Sequence, residues 1–514
     1  MIPWLSLLVV LPLVGALALF FFPKGKQSDE MIKWFAVLWT LVPLAIASYV
    51  WFVLYKDTNP KMQLEETVMW IQSLNVRYHV GVDGLSMPLI FLTTLLTTLS
   101  LYYSKQVIHE RVREFFIMFL LLETGMIGVF VSLDFFLFYV FWELGLVPMY
   151  FLIAIWGHAE DRPQYSAIKF FLYTLAGSVF MLLAIIAMYI TTSSANTPGT
   201  FDLIELASRK PFANDWLFAS MAFWSIFIAF AIKVPLFPFH TWLPDAHTAA
   251  PTAGSVILAG ILLKLGTYGI VRVLIPIFPQ VFQANATIIG ILATISIVYG
   301  ALAAMAQTDF KRLIAYSSVN HMGYVILGIA GAVAAGGSVT LTDRSIALNG
   351  AILQMWNHGV ITGALFFLVG MLYERAHTRD LKMFGGLGAK VPIYGGILMV
   401  ATFASLGLPG LAGFVSEFMV FRGAFASLTV LSTISVFGII FGAALLLWKV
   451  IQNVLLGAFD ESKWEHKHLT ELSRAEVLTL TPLVILMVLI GVYPSAILNT
   501  INTISVALLS AFKF

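Results

Sequence analysis

The sequence predicts an all-α polytopic membrane protein of about 14 transmembrane helices, built as two inverted five-helix repeats, each with a broken helix. Three observations carry this. Of the 514 residues, 60% are hydrophobic and 11% charged, with mean hydropathy +0.91; a soluble protein carries roughly 25% charged residues. The apolar residues gather into runs of about 20, the length needed to cross a bilayer. Two of these runs are interrupted by proline and glycine at corresponding places. A soluble enzyme, a nucleic-acid binder and a disordered chain are thereby excluded. The net charge of +2 gives no polyanion-binding signal. The lack of cysteine removes disulfides, thiolate-bound zinc and cysteine-ligated iron–sulfur clusters.

The first run, 2–22, is long enough to span and lacks the basic leader of a secretory signal. Further runs lie at 31–54, 84–104, 114–131, 135–157, 166–191, 217–240, 251–275, 285–306, 311–332, 345–373, 393–424, 427–452 and 477–500. The number falls to 13 if the short 132–134 junction does not separate two helices. Lysine and arginine set the orientation. Eighteen fall in the odd-numbered loops and nine in the even-numbered loops and C-terminus, which places the odd loops in the cytoplasm and both termini outside. The remaining two, Lys233 and Lys264, lie inside the membrane. The longest loops, 55–83 and 192–216, are then external, and 453–476 is charged enough for a cytoplasmic helical elbow. No separate soluble domain is expected.

A charged side chain at the centre of a membrane helix costs about 2.5–3.5 kcal/mol on insertion scales, so each needs a partner or a task. Glu123, Glu143, Lys233, Lys264, His321, His358 and Glu417 are in that position. A lone histidine reads equally as a core residue bonded to backbone or as a relay, and Glu123 as the structural partner of a basic group. Taken together, groups of both signs point to a proton or ion pathway. Burial disfavours the charged form of lysine and a nearby carboxylate restores it. A lysine whose carboxylate partner comes and goes can therefore load and release a proton, and Glu143 with Lys233 is the natural pair. Histidine, which titrates near pH 6.5, suits intermediate steps. The histidines show no clustered metal spacing, which argues against copper or haem, although spacing alone leaves bis-histidine haem open.

Segment 231–247 reads AIKVPLFPFHTWLPDAH. Pro235 and Pro238 each remove a backbone donor and clash one turn back, so the helix breaks after Lys233. Segment 408–418 reads LPGLAGFVSEF, and Pro409, Gly410 and Gly413 interrupt it just before Glu417. Irregular backbone is tolerated in a membrane where it is buried or lines a wet cavity. A pair of such helices in two halves points to the transport sites. The broken helix is fourth of five in both 113–275 and 276–452, and an odd number of spans turns the second unit upside down. Residues 1–112 supply three preceding helices, and 453–514 the elbow and last helix. The match is offset, since Lys233 precedes its break and Glu417 follows its own. Ordinary proline kinks are the bland alternative.

These stretches, with VDGLSMPL (82–89), FYVFWELGLVPMY (138–150), IKVPLFPFHTWLPDAHTAAPTAGSVILAGILLKLGTYG (232–269), QTDFKRLIAYSSVNHMGYV (307–325) and QMWNHG (354–359), resemble the antiporter-like subunits of respiratory complex I, relatives of the Mrp-type cation/proton antiporters. Within that family the chain is similar to the M-type branch, because Glu417 stands where the L- and N-type relatives carry lysine. The chain also leaves no room after residue 500 for the long lateral helix of the L-type. The resemblance implies fourteen helices with two inverted five-helix units, and proton pumping coupled to electron transfer elsewhere in the complex. It implies that Glu143 pairs with the broken-helix lysine, Lys233, and that Lys264 is the connecting lysine beside a central water chain. It implies that His321 and His358 lie on the polar axis of the second half and that Glu417 is its terminal proton site. Glu123 matches an additional glutamate, and His240 is a softer candidate that could simply cap the break.

The resemblance further implies that the chain binds no cofactor or metal itself, with FMN, iron–sulfur clusters and quinone in partner subunits. The partners are then the other complex I membrane subunits, above all the neighbouring L- and N-type chains, within the lipid of a bacterial cytoplasmic membrane. Protons enter from the cytoplasm to Lys233 or Lys264, pass His321 and His358, and leave at Glu417. No phosphate-cradling glycine loop or quinone site is visible in the sequence. The rivals are an Mrp-type antiporter subunit and a structural scaffold.

Overall fold

The computed structural model describes all residues except 1, 24, 196, 337–338, 465–468, 511 and 513–514, and all side chains of the rest except those of 26–27. Lys24, Lys467 and Lys513 of the charge count therefore lie outside the described residues. The chain begins with α1 (Trp4–Phe20) and α2 (Lys26–Tyr49, closing in a π turn, Val50–Leu54). An antiparallel hairpin follows, β1 (Gln63–Ile71) and β2 (Val76–Val82), then α3 (Ser86–Val107). Next come α4 (Val112–Val131), α5 (Phe135–Trp156), α6 (Pro163–Thr192), the short α7 (Leu203–Arg209), α8 (Trp216–Lys233), α9 (Trp242–Ala249) and α10 (Thr252–Ile277). The second half holds α11 (Pro279–Ala306), α12 (Phe310–Val333), α13 (Leu341–Ala376), α14 (Pro392–Ser405), α15 (Ala412–Ser427) and α16 (Thr429–Leu455). It ends in α17 (Arg474–Val492) and α18 (Ser495–Ser510).

Twelve described helices are long and apolar enough to cross a membrane; α1 and the broken pair α14–α15 complete the fourteen crossings. The 132–134 junction does separate two helices. The Asp134 carboxylate accepts from the Phe136 and Leu137 amides and starts α5 afresh. α10 and α13 are the most enclosed spans, their apolar windows being wholly buried. The outer helices show exposed apolar faces, such as Phe52, Ile190 and Val430, suited to lipid.

The inverted repeat is written in two aspartate pairs. Asp134 caps the second helix of the first unit and bridges backbone to backbone with Asp202; Asp309 caps the second helix of the second unit and bridges in the same way with Asp380. The first pair lies on the hairpin face, where the Arg77 amide donates to Asp134. The second lies at the opposite end of the bundle, where Arg379 bonds both Asp309 and Asp161, which follows the far end of α5. The first two helices of each unit also cross at a glycine. A side chain at Gly125 would meet Gly145 backbone, and one at Gly300 would meet Asn320 backbone.

Several sequence expectations need correction. The 55–83 loop is not plain loop but holds the hairpin, whose two faces are too unevenly patterned to announce strands. The run 477–500 ends at Val492, and a further helix, α18, follows. It docks on the hairpin face: Gly84 has no room for a side chain beside the Thr500 carbonyl, and Thr500 bonds Asp57. Among the described residues, the 453–476 elbow is helical only in the last residues of α16, one 3-10 turn, Glu461–Trp464, and the start of α17. Lys311, Arg272 and Arg344 are not loop cations; all three are buried.

Candidate functional site

Lys233 is the last residue of α8, where Pro235 ends the helix. The break is well satisfied: the Trp242 indole donates to the Ile232 carbonyl at 2.9 Å, and the Phe237 amide to Ser296 of α11 at 2.8 Å. Lys233 Nζ lies over the rings of Trp142 and Phe170, at 5.3 and 5.6 Å from their centroids. Cation–π contact offsets part of its desolvation. Glu143, one residue from Trp142, is close enough for its charge to act on Lys233. No ion pair joins the two among the described residues, and Glu143 Oε1 has no hydrogen-bond partner there. The expected pair is therefore open in this structure.

The groups of the second half are in contact. Lys264 Nζ lies 2.6 Å from His358 Nδ1 and also bonds the Ala259 carbonyl. The His358 and His321 rings are 5.7 Å apart, centroid to centroid. His321 Nδ1 is 3.2 Å from Glu417 Oε1, and its Nε2 is 3.2 Å from Ser405 Oγ. Lys264, His358, His321 and Glu417 thus line up in one buried run from α10, in the first unit, to α15, in the broken helix of the second. Two small cavities line its far end, both bounded by His321, Ser405 and Glu417. The break before Glu417 depends on glycine. Gly407 has φ +72°, and a side chain there would come within 2.8 Å of Glu417 Oε2.

Two predicted residues stand apart. Glu123 is fully buried, and neither of its carboxylate oxygens has a hydrogen-bond partner among the described residues; the basic group expected beside it is not there. His240 does not cap the break. Its ring packs at 5.0 Å against Tyr299, with both nitrogens unbonded among the described residues.

Residues that sequence reasoning passed over support the run. Gln354 and Asn357, one turn and less before His358, bond Ser416 of α15, and Asn357 also bonds the Ala412 carbonyl. The i, i+4 spacing of Gln354 with His358 in QMWNHG was the available signal for the first; Asn357, adjacent to His358, had none. His247 is stacked at 4.6 Å on Phe366, and its ring nitrogens are buried and unbonded among the described residues. Lys311 bonds the Ala250 carbonyl at 2.5 Å. Both were masked by their place beside a charged loop.

A bundle with two inverted units, two broken helices and a buried lysine–histidine–glutamate run defines a class, the antiporter-like membrane subunits. Residues 132–442 match the family model described as NADH:quinone oxidoreductase/Mrp antiporter, TM. A Rickettsia prowazekii protein named NADH-quinone oxidoreductase subunit M is 41% identical over 98% of this chain and 97% of its own length. F(420)H(2) dehydrogenase subunit M of Methanosarcina mazei is 37% identical over 99% of both chains. A chain of respiratory complex I from Thermus thermophilus superposes with TM-score 0.85 at 27% identity, covering 99% of this chain and 100% of that one. The chain belongs to this family, as a multi-pass, antiporter-like membrane subunit of the NADH-quinone oxidoreductase kind.

Proposed function

We propose that the chain translocates protons, receiving them at Lys233 and Lys264 and releasing them at Glu417. One observation carries this: the buried run Lys264–His358–His321–Glu417, hydrogen-bonded at each end, with the two imidazole rings 5.7 Å apart between. Each member can hold or pass a proton; Lys264–His358 and His321–Glu417 are within direct reach, and the step between the two imidazoles requires a ring rotation or a bridging water. Glu143 sets the state of Lys233. With the carboxylate beside it the ammonium has a counter-charge; apart from it, only the faces of Trp142 and Phe170 remain. A charge moved against 100 mV costs about 2.3 kcal/mol. That work comes from electron transfer in partner subunits, which hold the FMN, iron–sulfur clusters and quinone. The partners in the membrane are L- and N-type chains, and the compartment is a bacterial cytoplasmic membrane with both termini outside. The entry side is then the face of Asp309 and Arg379, and the exit side the face of the hairpin. Chain-length identity to a subunit of NADH-quinone oxidoreductase supports this over a free-standing antiporter. The test is His358→Ala in the assembled complex, followed by proton pumping per quinone reduced. Pumping at the wild-type ratio would remove His358 from the path.

A further inference from the structure

α10 is not uniformly wound. Its α-helical stretch Leu263–Gly269, which carries Lys264, is bracketed by two π turns, Leu258–Leu262 and Ile270–Leu274. Such wide turns are rare and cluster at functional sites. In the first, the Leu263 amide reaches back to the Leu258 carbonyl. That leaves the Ala259 carbonyl free to accept from Lys264 Nζ, beside His358. The wide turn fits because two backbones touch. A side chain at Gly359 would lie 2.8 Å from the Gly260 carbonyl oxygen and 2.7 Å from Leu92, and one at Gly260 would lie 2.5 Å from Leu96. Gly260 belongs to the first repeat and Gly359, next to His358, to the second.

We propose that the wide turn, seated by Gly260 against Gly359, positions Lys264 on His358, and that rewinding this turn to α geometry withdraws the lysine and opens the link between the two repeats. Rewinding gives the Ala259 carbonyl to the Leu263 amide, so Lys264 loses one acceptor. It also turns the following residues by about 100°, one residue's share of an α turn. That carries Lys264 off His358. The second wide turn takes up the rotation, so Arg272 keeps its bond to Asp83 at 2.5 Å. The bond from Tyr268 to the Phe130 carbonyl, 2.8 Å, is broken in the withdrawn register and so favours the joined one. Gly260 and Gly359 are positioning residues; Lys264 and His358 carry the proton.

This rests on the proposed role of Lys264, and the two ideas fail separately. Gly359→Ala is compared with Gly363→Ala in intact complex. At Gly363 a methyl would meet Leu96 and Val256 at ordinary distances, 3.4 and 3.7 Å. Gly359→Ala should lower proton-coupled quinone reduction on the order of ten- to a hundredfold and displace its pH profile, because sub-ångström misplacement is costly in proton transfer. Gly363→Ala should stay within about twofold with the profile unmoved. Matching behaviour of the two variants, with Lys264→Ala inactive, overturns the positioning proposal and leaves the path. Lys264→Ala that pumps normally overturns the path itself. Should Gly359→Ala not assemble, hydrogen exchange of the wild-type complex decides: amides 259–264 should exchange faster during turnover than at rest, and equal rates overturn the rewinding.

Discussion

Lys264 and His358, one from each repeat, meet at 2.6 Å across the centre of the bundle. They sit on α10 and α13, the two most enclosed spans, so neither can be hydrated from the lipid-facing side. A buried lysine and a buried histidine in contact cannot both carry charge cheaply. On the proposed path, a proton arriving at Lys264 is handed to His358 and on toward His321. If this is so, Lys264→Ala and His358→Ala should each lower coupled turnover on the order of ten- to a hundredfold. The double variant should be no worse than the worse single one, because residues acting as a unit are not additive. Rates that multiply would show two independent routes.

On the first half, Glu143 and Lys233 are separate here, with the lysine over Trp142 and Phe170. Glu143→Ala should hold the chain in this state, abolishing coupled proton transport and largely suppressing quinone reduction with assembly intact. Glu143→Asp keeps the charge at altered reach and should retain part of the activity. Native gels establish assembly, and pumping by the Ala variant at the wild-type rate would exclude a role for the carboxylate.

Much of this was legible in the sequence. Proline and glycine located both breaks, because backbone sterics act locally. The buried charges announced themselves against an apolar background. The hairpin was hidden because it lies outside the bilayer, where no hydropathy run marks it, and its strands gain order by contact with the start of α1 and with α7. The His358–Lys264 contact was hidden as well. It depends on a crossing between residues far apart in the chain and on a π turn that has no sequence signature beyond glycine. Lys311 and Arg272 were misplaced because positional counting cannot see that a cation at a helix end has folded inward onto a carbonyl or a carboxylate.

The hairpin is latched by His79, which bonds Asp202 at 2.6 Å and Glu65 at 3.0 Å. Burial lowers the pKa of His79, but the two carboxylates outweigh it and hold it above 6.5. Burial likewise raises that of Asp202, and the His79 bond outweighs it and holds the carboxyl below 3.8. The histidine's contribution is full below its unfolded value and fades as pH rises through its raised folded value. The aspartate's is full above its unfolded value and fades as pH falls through its lowered one. The latch is therefore strongest between about pH 4 and 6.5 and loosens at alkaline pH, by about 1.5–3 kcal/mol for a charged hydrogen bond. Hydrogen exchange of residues 63–82 should speed up beyond the intrinsic rate from pH 6 to 9. Asp202→Asn keeps the α7 cap but leaves only Glu65 on the ring, so its change over that range should be smaller; a flat wild type would mean His79 does not titrate there.

Topology can be checked directly. Thr500 of α18 lies on the hairpin face and Gly385 on the opposite one, beside Ala458 and Asn453. Reporter tags at residue 385 and at the C-terminus should read opposite sides of the membrane, with 385 cytoplasmic. The same side for both would refute fourteen crossings.

Glu417 closes the run. It lies in the second turn of α15, just past the Gly407–Gly413 break, with Oε1 on His321 and Oε2 toward Gly407. The positive-φ Gly407 keeps that approach free of a side chain. A carboxylate there can take a proton from the imidazole and release it where irregular backbone admits water. Glu417→Gln preserves size and the bond to His321 but cannot titrate, so it should block turnover in an assembled complex. Glu417→Lys places a group that also titrates when buried, and its neutral amine can accept a proton from His321, so it should retain some function. Proton stoichiometry and quinone reductase rate in membranes from each variant separate these outcomes. If Glu417→Gln pumps at the wild-type ratio, the proton leaves His321 by another route, of which Ser405, 3.2 Å from Nε2, is the first to examine.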